Sequence, residues 1–81
     1  MGINNFPVDI STLSEAMKLK LSFPDNGYEF DRNRAFELIK KFGPDHVYTL
    51  INWDIGDWHT TLEFADIPGH YNSVQFAKVE E

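Results

Sequence analysis

Two runs of strand-forming residues meet at Asp54-Ile55-Gly56-Asp57, and this junction restricts the chain more than any other feature. His46 to Trp53 is rich in β-branched and aromatic residues. Trp58 to Ala65 alternates Trp58, Thr60, Leu62 and Phe64 against His59, Thr61, Glu63 and Ala65. Such alternation buries one set of side chains and leaves the other in solvent. A two-residue primed turn would require positive φ at Ile55, which a β-branched residue resists. The expected connection is therefore a four-residue loop over 54–57, a type I turn with Gly56 left-handed. In that register Trp53 faces Trp58, Ile51 faces Thr60 and Val47 faces Phe64, so the apolar residues of both strands share a face. Pro68-Gly69 reads as a second turn, of type II. Ser73 to Val79 then brings Val74 and Phe76 to the same face as a third strand.

The N-terminal half has a different period. Asp31 can cap a helix over 31–42 in which Ala35, Leu38, Ile39 and Phe42 form one apolar stripe. Lys40 and Lys41 complement its C-terminal dipole, and Gly43-Pro44 ends it. Residues 11–22 carry two patterns. Thr12 with Glu15 matches a capping box, and Leu13, Ala16, Met17 and Leu21 follow with helical spacing. Met17, Leu19, Leu21 and Phe23 also alternate with Lys18, Lys20 and Ser22, which would make a basic-faced edge strand. The cap signal and the good helix formers favour a helix over 12–21. Pro24 to Gly27 is a turn. Residues 1–10 read as an extended lead-in pinned by Ile3, Phe6, Val8 and Ile10. The expected fold is α+β: two N-terminal helices packed on one face of a three-stranded antiparallel β-meander, in the order ααβββ.

At 81 residues the chain is expected to form a single domain, with the lead-in over 1–10, a helical half over 11–43 and an acidic meander over 45–81. It has no cysteine, so its stability must come from apolar burial, and its aromatic share of 15% supplies much of that. No apolar run approaches the length of a membrane span, and the N-terminus lacks the basic start and apolar run of a signal peptide. A cytoplasmic protein is expected.

The net charge of −6 is unevenly spread. In residues 1–41 the acids Asp9, Glu15, Asp25, Glu29, Asp31 and Glu37 balance Lys18, Lys20, Arg32, Arg34, Lys40 and Lys41. Residues 42–81 carry Asp45, Asp54, Asp57, Glu63, Asp66, Glu80 and Glu81 against Lys78 alone. Phosphate recognition needs clustered cations, so direct nucleic-acid binding through this half is not expected.

Catalytic patterns are absent. Asp57-x-His59, with Asp54 nearby, is the one spacing that suggests metal-dependent hydrolysis, but a metal needs more convergent ligands. His46 and His70 do not extend it. Asp54 and Asp57 flank a hairpin tip, where turn hydrogen bonding accounts for them. There is no Gly-x-Ser-x-Gly elbow and no glycine-rich phosphate loop. Trp53 and Trp58 read as core rather than as a stacking platform, and Arg32, Arg34, Lys40 and Lys41 as a solvated helix face. No enzyme activity, cofactor or metal is expected.

The charge map points instead to a non-catalytic acidic module that docks on a basic surface of another protein, such as a nucleic-acid-handling enzyme. Asp54, Asp57, Glu63 and Asp66 would supply the charge, and Ile55, Trp58 and Tyr71 the apolar anchors. Immunity proteins, antitoxins and phage anti-defence proteins work this way, which is an analogy of design. A structural or adaptor module is the alternative, with a homodimer formed through the Ser73–Val79 edge that Lys78, Glu80 and Glu81 only weakly protect. A small metal-dependent hydrolase using Asp54, Asp57 and His59 comes third.

Overall fold

A computed structural model describes residues 7–79. The anchoring role of Ile3 and Phe6 and the edge charges Glu80 and Glu81 lie outside the described residues. One helix, α1 (Glu29–Phe42), packs on a five-stranded antiparallel sheet made of β1 (Lys18–Leu21), β2 (Val47–Ile55), β3 (Thr60–Phe64), β4 (Tyr71–Asn72) and β5 (Phe76–Lys78). The spatial order is β4-β3-β2-β1-β5. The expected pair of helices on a three-stranded meander is thus incorrect: the fold is α+β, but dominated by its sheet.

The first correction lies at residues 12–21. Thr12 does not open an α-helix; its hydroxyl donates back to the Asp9 carbonyl at 2.7 Å. Asp9 caps a single 3-10 turn over Ile10–Thr12, and the Ser11 N–H and hydroxyl both donate to its carboxylate, holding its pKa below the ordinary value. The chain then reverses at Ser14–Met17, where Met17 N–H reaches the Ser14 carbonyl and Ala16 sits at φ 70. Lys18–Leu21 continues as a strand hydrogen-bonded on both sides, to β2 through Lys18↔Thr49 and to β5 through Leu21↔Phe76. Leu19 and Leu21 point into the core. Pairing with two neighbours outweighs the modest helix propensity of the segment.

The helix is close to expectation, with a different start. Tyr28 is the N-cap, and Asp31 stands at the third helical position. Its Oδ2 accepts from the Tyr28 N–H at 2.9 Å and from Asn72 Nδ2 at 3.1 Å. Ala35 and Leu38 are buried, Ile39 packs beside them, and Gly43 ends the helix at φ 91.

The C-terminal segment supplies the second correction. Gly69, at φ 100, carries the positive φ of a Pro-Gly turn, and Tyr71–Asn72 pairs with β3. Ser73–Gln75 then forms a 3-10 turn, capped by the Asn72 side chain accepting from Val74 N–H at 3.2 Å. This turn carries the chain over to the opposite edge of the sheet, where β5 pairs with β1. The outer side of β5 is partly occupied, because Val8 N–H donates to the Phe76 carbonyl at 2.8 Å.

Tyr48, Leu50, Leu62, Phe64 and Phe76 form the centre of the core between sheet and helix. At its border lies a buried polar cluster. Gln75 Nε2 donates to the carbonyls of Pro24 at 3.0 Å and Asp31 at 3.1 Å, and Asn26 Nδ2 donates to the Val74 carbonyl at 2.8 Å. With the Asn72–Asp31 bond, these contacts tie the crossing turn to the start of the helix. The bonds of Gln75, Asn72 and Asp31 satisfy groups that would otherwise be buried without partners, while the Asn26 bond is exposed at the edge of the cluster.

Candidate functional site: an acidic aromatic tip

The β2–β3 hairpin differs from its expected register. Trp53 pairs with Leu62, Asp54 with Thr61 and Ile55 with Thr60, so the loop is Gly56-Asp57-Trp58-His59. Gly56 N–H closes it on the His59 carbonyl at 3.0 Å. Gly56 is not left-handed; it is needed because a Cβ there would lie 2.9 Å from the His59 carbonyl oxygen. Trp58 therefore does not face Trp53. Trp53 packs on the core edge, while Trp58 stands on the loop 89% exposed. Ile55, at the end of β2, is 60% exposed.

The tip has a second component. His59 meets the Tyr28 ring edge to face, with centroids 5.9 Å apart, which brings the start of α1 against the loop. Tyr28 in turn stacks on Phe30 at 5.8 Å and an interplanar angle of 6°. These two rings are 53% and 59% exposed. Tyr28, Phe30, Ile55 and Trp58 are thus brought to one end of the molecule. Asp54, Asp57 and Glu29, all exposed, stand beside them in the chain. Among the described residues none of these three carboxylates is in an ion pair. Exposed apolar area rimmed by unpaired charge of one sign is a feature of interaction surfaces.

The other expected site residues lie elsewhere. Glu63 is on the open face of the sheet, where it accepts from Asn52 Nδ2 at 3.2 Å and lies 3.8 Å from His70 Nδ1. Asp66 follows the far end of β3 and accepts from the Thr49 N–H at 3.0 Å. Its other oxygen is 3.6 Å from Nε2 of His46, whose ring is held between Phe42 and Tyr48. Burial pushes the Tyr48 hydroxyl pKa up, with smaller contributions from Tyr71 and Asp66. Tyr71 is 8% exposed: its ring packs in the core and its hydroxyl donates to the Pro68 carbonyl at 2.8 Å. It is not available as a surface anchor. Asp45, expected to add to the acidic field, is paired with Lys20 at 3.5 Å. The acids of this half are therefore divided, and among the described residues of this half only Asp54 and Asp57 stand at the tip.

Tyr28, Phe30 and Glu29 were not among the expected site residues, although a signal existed. Phe30 lies off the Ala35–Leu38–Phe42 stripe, and an aromatic outside the buried face of an amphipathic helix must meet solvent or a partner. The Asp57-x-His59 pair lies in the loop rather than on one strand face, with His59 turned against Tyr28. Among the described residues no group of three or more His, Cys, Asp or Glu is placed to hold a metal. No helix among them is long and apolar enough to cross a membrane.

No curated protein and no solved structure matches the chain. A family model described as "Bacteriophage T4 protein Y07B" matches residues 16–81, a span that contains the helix, all five strands and the whole tip. The chain belongs to the bacteriophage T4 protein Y07B family.

Proposed function

We propose that this small phage-family protein is a non-catalytic binding module that docks its acidic aromatic tip on a basic surface of another protein. The observation that carries the proposal is the exposure of Trp58, joined by Ile55, Tyr28 and Phe30 and bordered by Glu29, Asp54 and Asp57. Buried aromatic anchors dominate interface energies, and surrounding carboxylates steer a cationic partner and fix its orientation. Proteins that handle nucleic acid carry such basic surfaces in order to attract phosphate, so an enzyme of that kind in the host cytoplasm is the expected partner. Glu63, Asp66 and Tyr71 drop out of the proposed interface because their side chains are engaged elsewhere.

Self-association through the terminal edge has less support, since Val8 occupies part of the outer side of β5. The test is affinity purification from host cells with the wild-type chain, Trp58→Ala and Asp54→Asn/Asp57→Asn, each washed at low and high salt. A basic protein retained by the wild type, lost with Trp58→Ala and released earlier by salt with the double variant supports the proposal. Equal recovery with all three chains, unaffected by salt, refutes it.

A further inference from the structure

A second site lies along α1, away from the tip and independent of its proposed role. A cleft of about 220 Å³ opens between the C-terminal half of α1 and the loop joining β3 to β4. Its walls are the apolar side chains of Leu38, Phe42, Ile67 and Pro68. Two cations stand in it. The Arg34 guanidinium lies over the Tyr71 ring at 4.5 Å from the centroid, and Lys41 Nζ lies 5.4 Å from the centroid of Phe42. Residues 34 and 41 are seven apart, two helical turns, and so share one side of the helix.

Neither cation has a carboxylate in ion-pair range or a hydrogen-bond acceptor among the described residues, although Glu37 also lines the cleft. The Tyr71 hydroxyl is already donating to the Pro68 carbonyl, which leaves Arg34 and Lys41 as the charged donors. Gly69 leaves room for this placement, since a Cβ at 69 would meet the guanidinium and push it aside. A planar guanidinium held flat on an aromatic ring loses little freedom when it grips a carboxylate through two parallel bonds.

We infer that this cleft binds a small apolar carboxylate: one aromatic or branched aliphatic group seated between Phe42, Leu38 and Ile67, its single carboxylate taken by Arg34 with help from Lys41. The volume is below the 300–1,000 Å³ typical of drug-sized ligands, which limits the occupant to roughly one ring. Glu37 opposes a second negative charge, so a dianion is disfavoured.

Benzoate is the probe, with benzamide as its uncharged isostere, followed by two-dimensional NMR of the intact chain. Benzoate should give saturable shifts at Leu38, Phe42 and Gly69, with a dissociation constant on the order of 1 mM. Benzamide should bind at least about tenfold more weakly, because it cannot make the charge-assisted pair. Arg34→Gln should weaken benzoate about tenfold and Lys41→Gln about threefold, each with the wild-type spectrum elsewhere. The comparison of benzoate with benzamide on the wild-type chain needs no variant, so a poorly folded Arg34→Gln cannot obscure the answer. Equal binding of the two probes, shifts that never saturate, or benzoate binding indifferent to Lys41→Gln would each overturn the inference.

Discussion

Replacing Gln75 with leucine should destabilise the protein by about 2 kcal/mol, although the volume hardly changes and an apolar residue enters a buried site. Gln75 is 1% exposed, and its Nε2 bridges the Pro24 and Asp31 carbonyls at 3.0 and 3.1 Å. Leucine removes both donors. The Asp31 carbonyl, inside α1, keeps the partner that helical geometry gives it. The Pro24 carbonyl precedes the helix and has no such substitute. Two hydrogen bonds at about 1 kcal/mol each give the total of about 2 kcal/mol, and leaving one acceptor buried and unpaired keeps it from being smaller. For a domain of this size each kcal/mol corresponds to about 4–8 °C, so Tm should fall by about 8–16 °C. Thermal unfolding followed by circular dichroism measures this, and urea unfolding should give a lower midpoint with an unchanged slope. Gln75→Ala should cost a further 1 kcal/mol or so by leaving a cavity. A Gln75→Leu protein within about 0.5 kcal/mol of wild type would refute the reasoning, since the bridge would then add nothing beyond filling space.

Trp58→Ala should leave stability within about 0.5 kcal/mol, because the indole is almost fully exposed, yet weaken partner binding by about 2 kcal/mol or more; unfolding curves and a binding titration separate the two effects. Ala16→Gly should stabilise the chain by about 0.5–1 kcal/mol by relieving the left-handed backbone at φ 70, read as a rise in urea midpoint. Gly43→Ala should cost about 1 kcal/mol although its Cβ would meet nothing within 4 Å, since only the backbone at φ 91 objects. The raised pKa of Tyr48 sets a sign for alkaline behaviour. The unfolded chain releases that proton near the ordinary tyrosine value while the native protein still holds it. The stabilisation is therefore complete below that value and declines as pH rises past it. Tm measured through this range should fall less steeply for Tyr48→Phe than for wild type.

What could be read from the residues was mostly local. The stripe of Ala35 and Leu38 and the stop at Gly43 are short-range patterns, and α1 follows them. The strands β2 and β3 lie where their period-two runs place them. Residues 12–21 misled because Thr12 and Glu15 imitate a cap, whereas the deciding contacts, Leu19 with Tyr48 and Lys78 and Leu21 with Phe76, come from partners 29–59 residues away in sequence. The crossing of β5 to the far edge is likewise set by the Gln75 and Asn26 bonds, which no local pattern announces. At the tip, Asp54 and Asp57 were legible as a hairpin end, but Trp58, which its alternation with Thr60 and Leu62 made read as core, is 89% exposed. The register was not legible, because pairing Trp58 with Trp53 satisfied the alternation as well as the true pairing does. Tyr71 was misassigned for a related reason: an aromatic beside a turn looks exposed until Phe64, Phe76 and Arg34 are packed round it.

The shift in pairing along β2 gives the tip its polarity. Leu50 pairs with Phe64 and Asn52 with Glu63, so Ile51 is one residue more than the partner strand can match. An extra residue of this kind resets the alternation. Leu50 and Trp53, three apart, both turn toward the helix side, and the Asp54 carboxylate turns outward. If the strand ran through Ile51 without this offset, Asn52 and Asp54 would be directed at the core and Trp53 at water. Deleting Ile51, by contrast, would leave every facing in place: Leu50, Asn52, Trp53 and Asp54 would follow one another in regular alternation against Phe64, Glu63, Leu62 and Thr61. The hairpin end thus owes its orientation to a single unmatched residue, and a chain lacking that residue could present the same tip from a plain ladder.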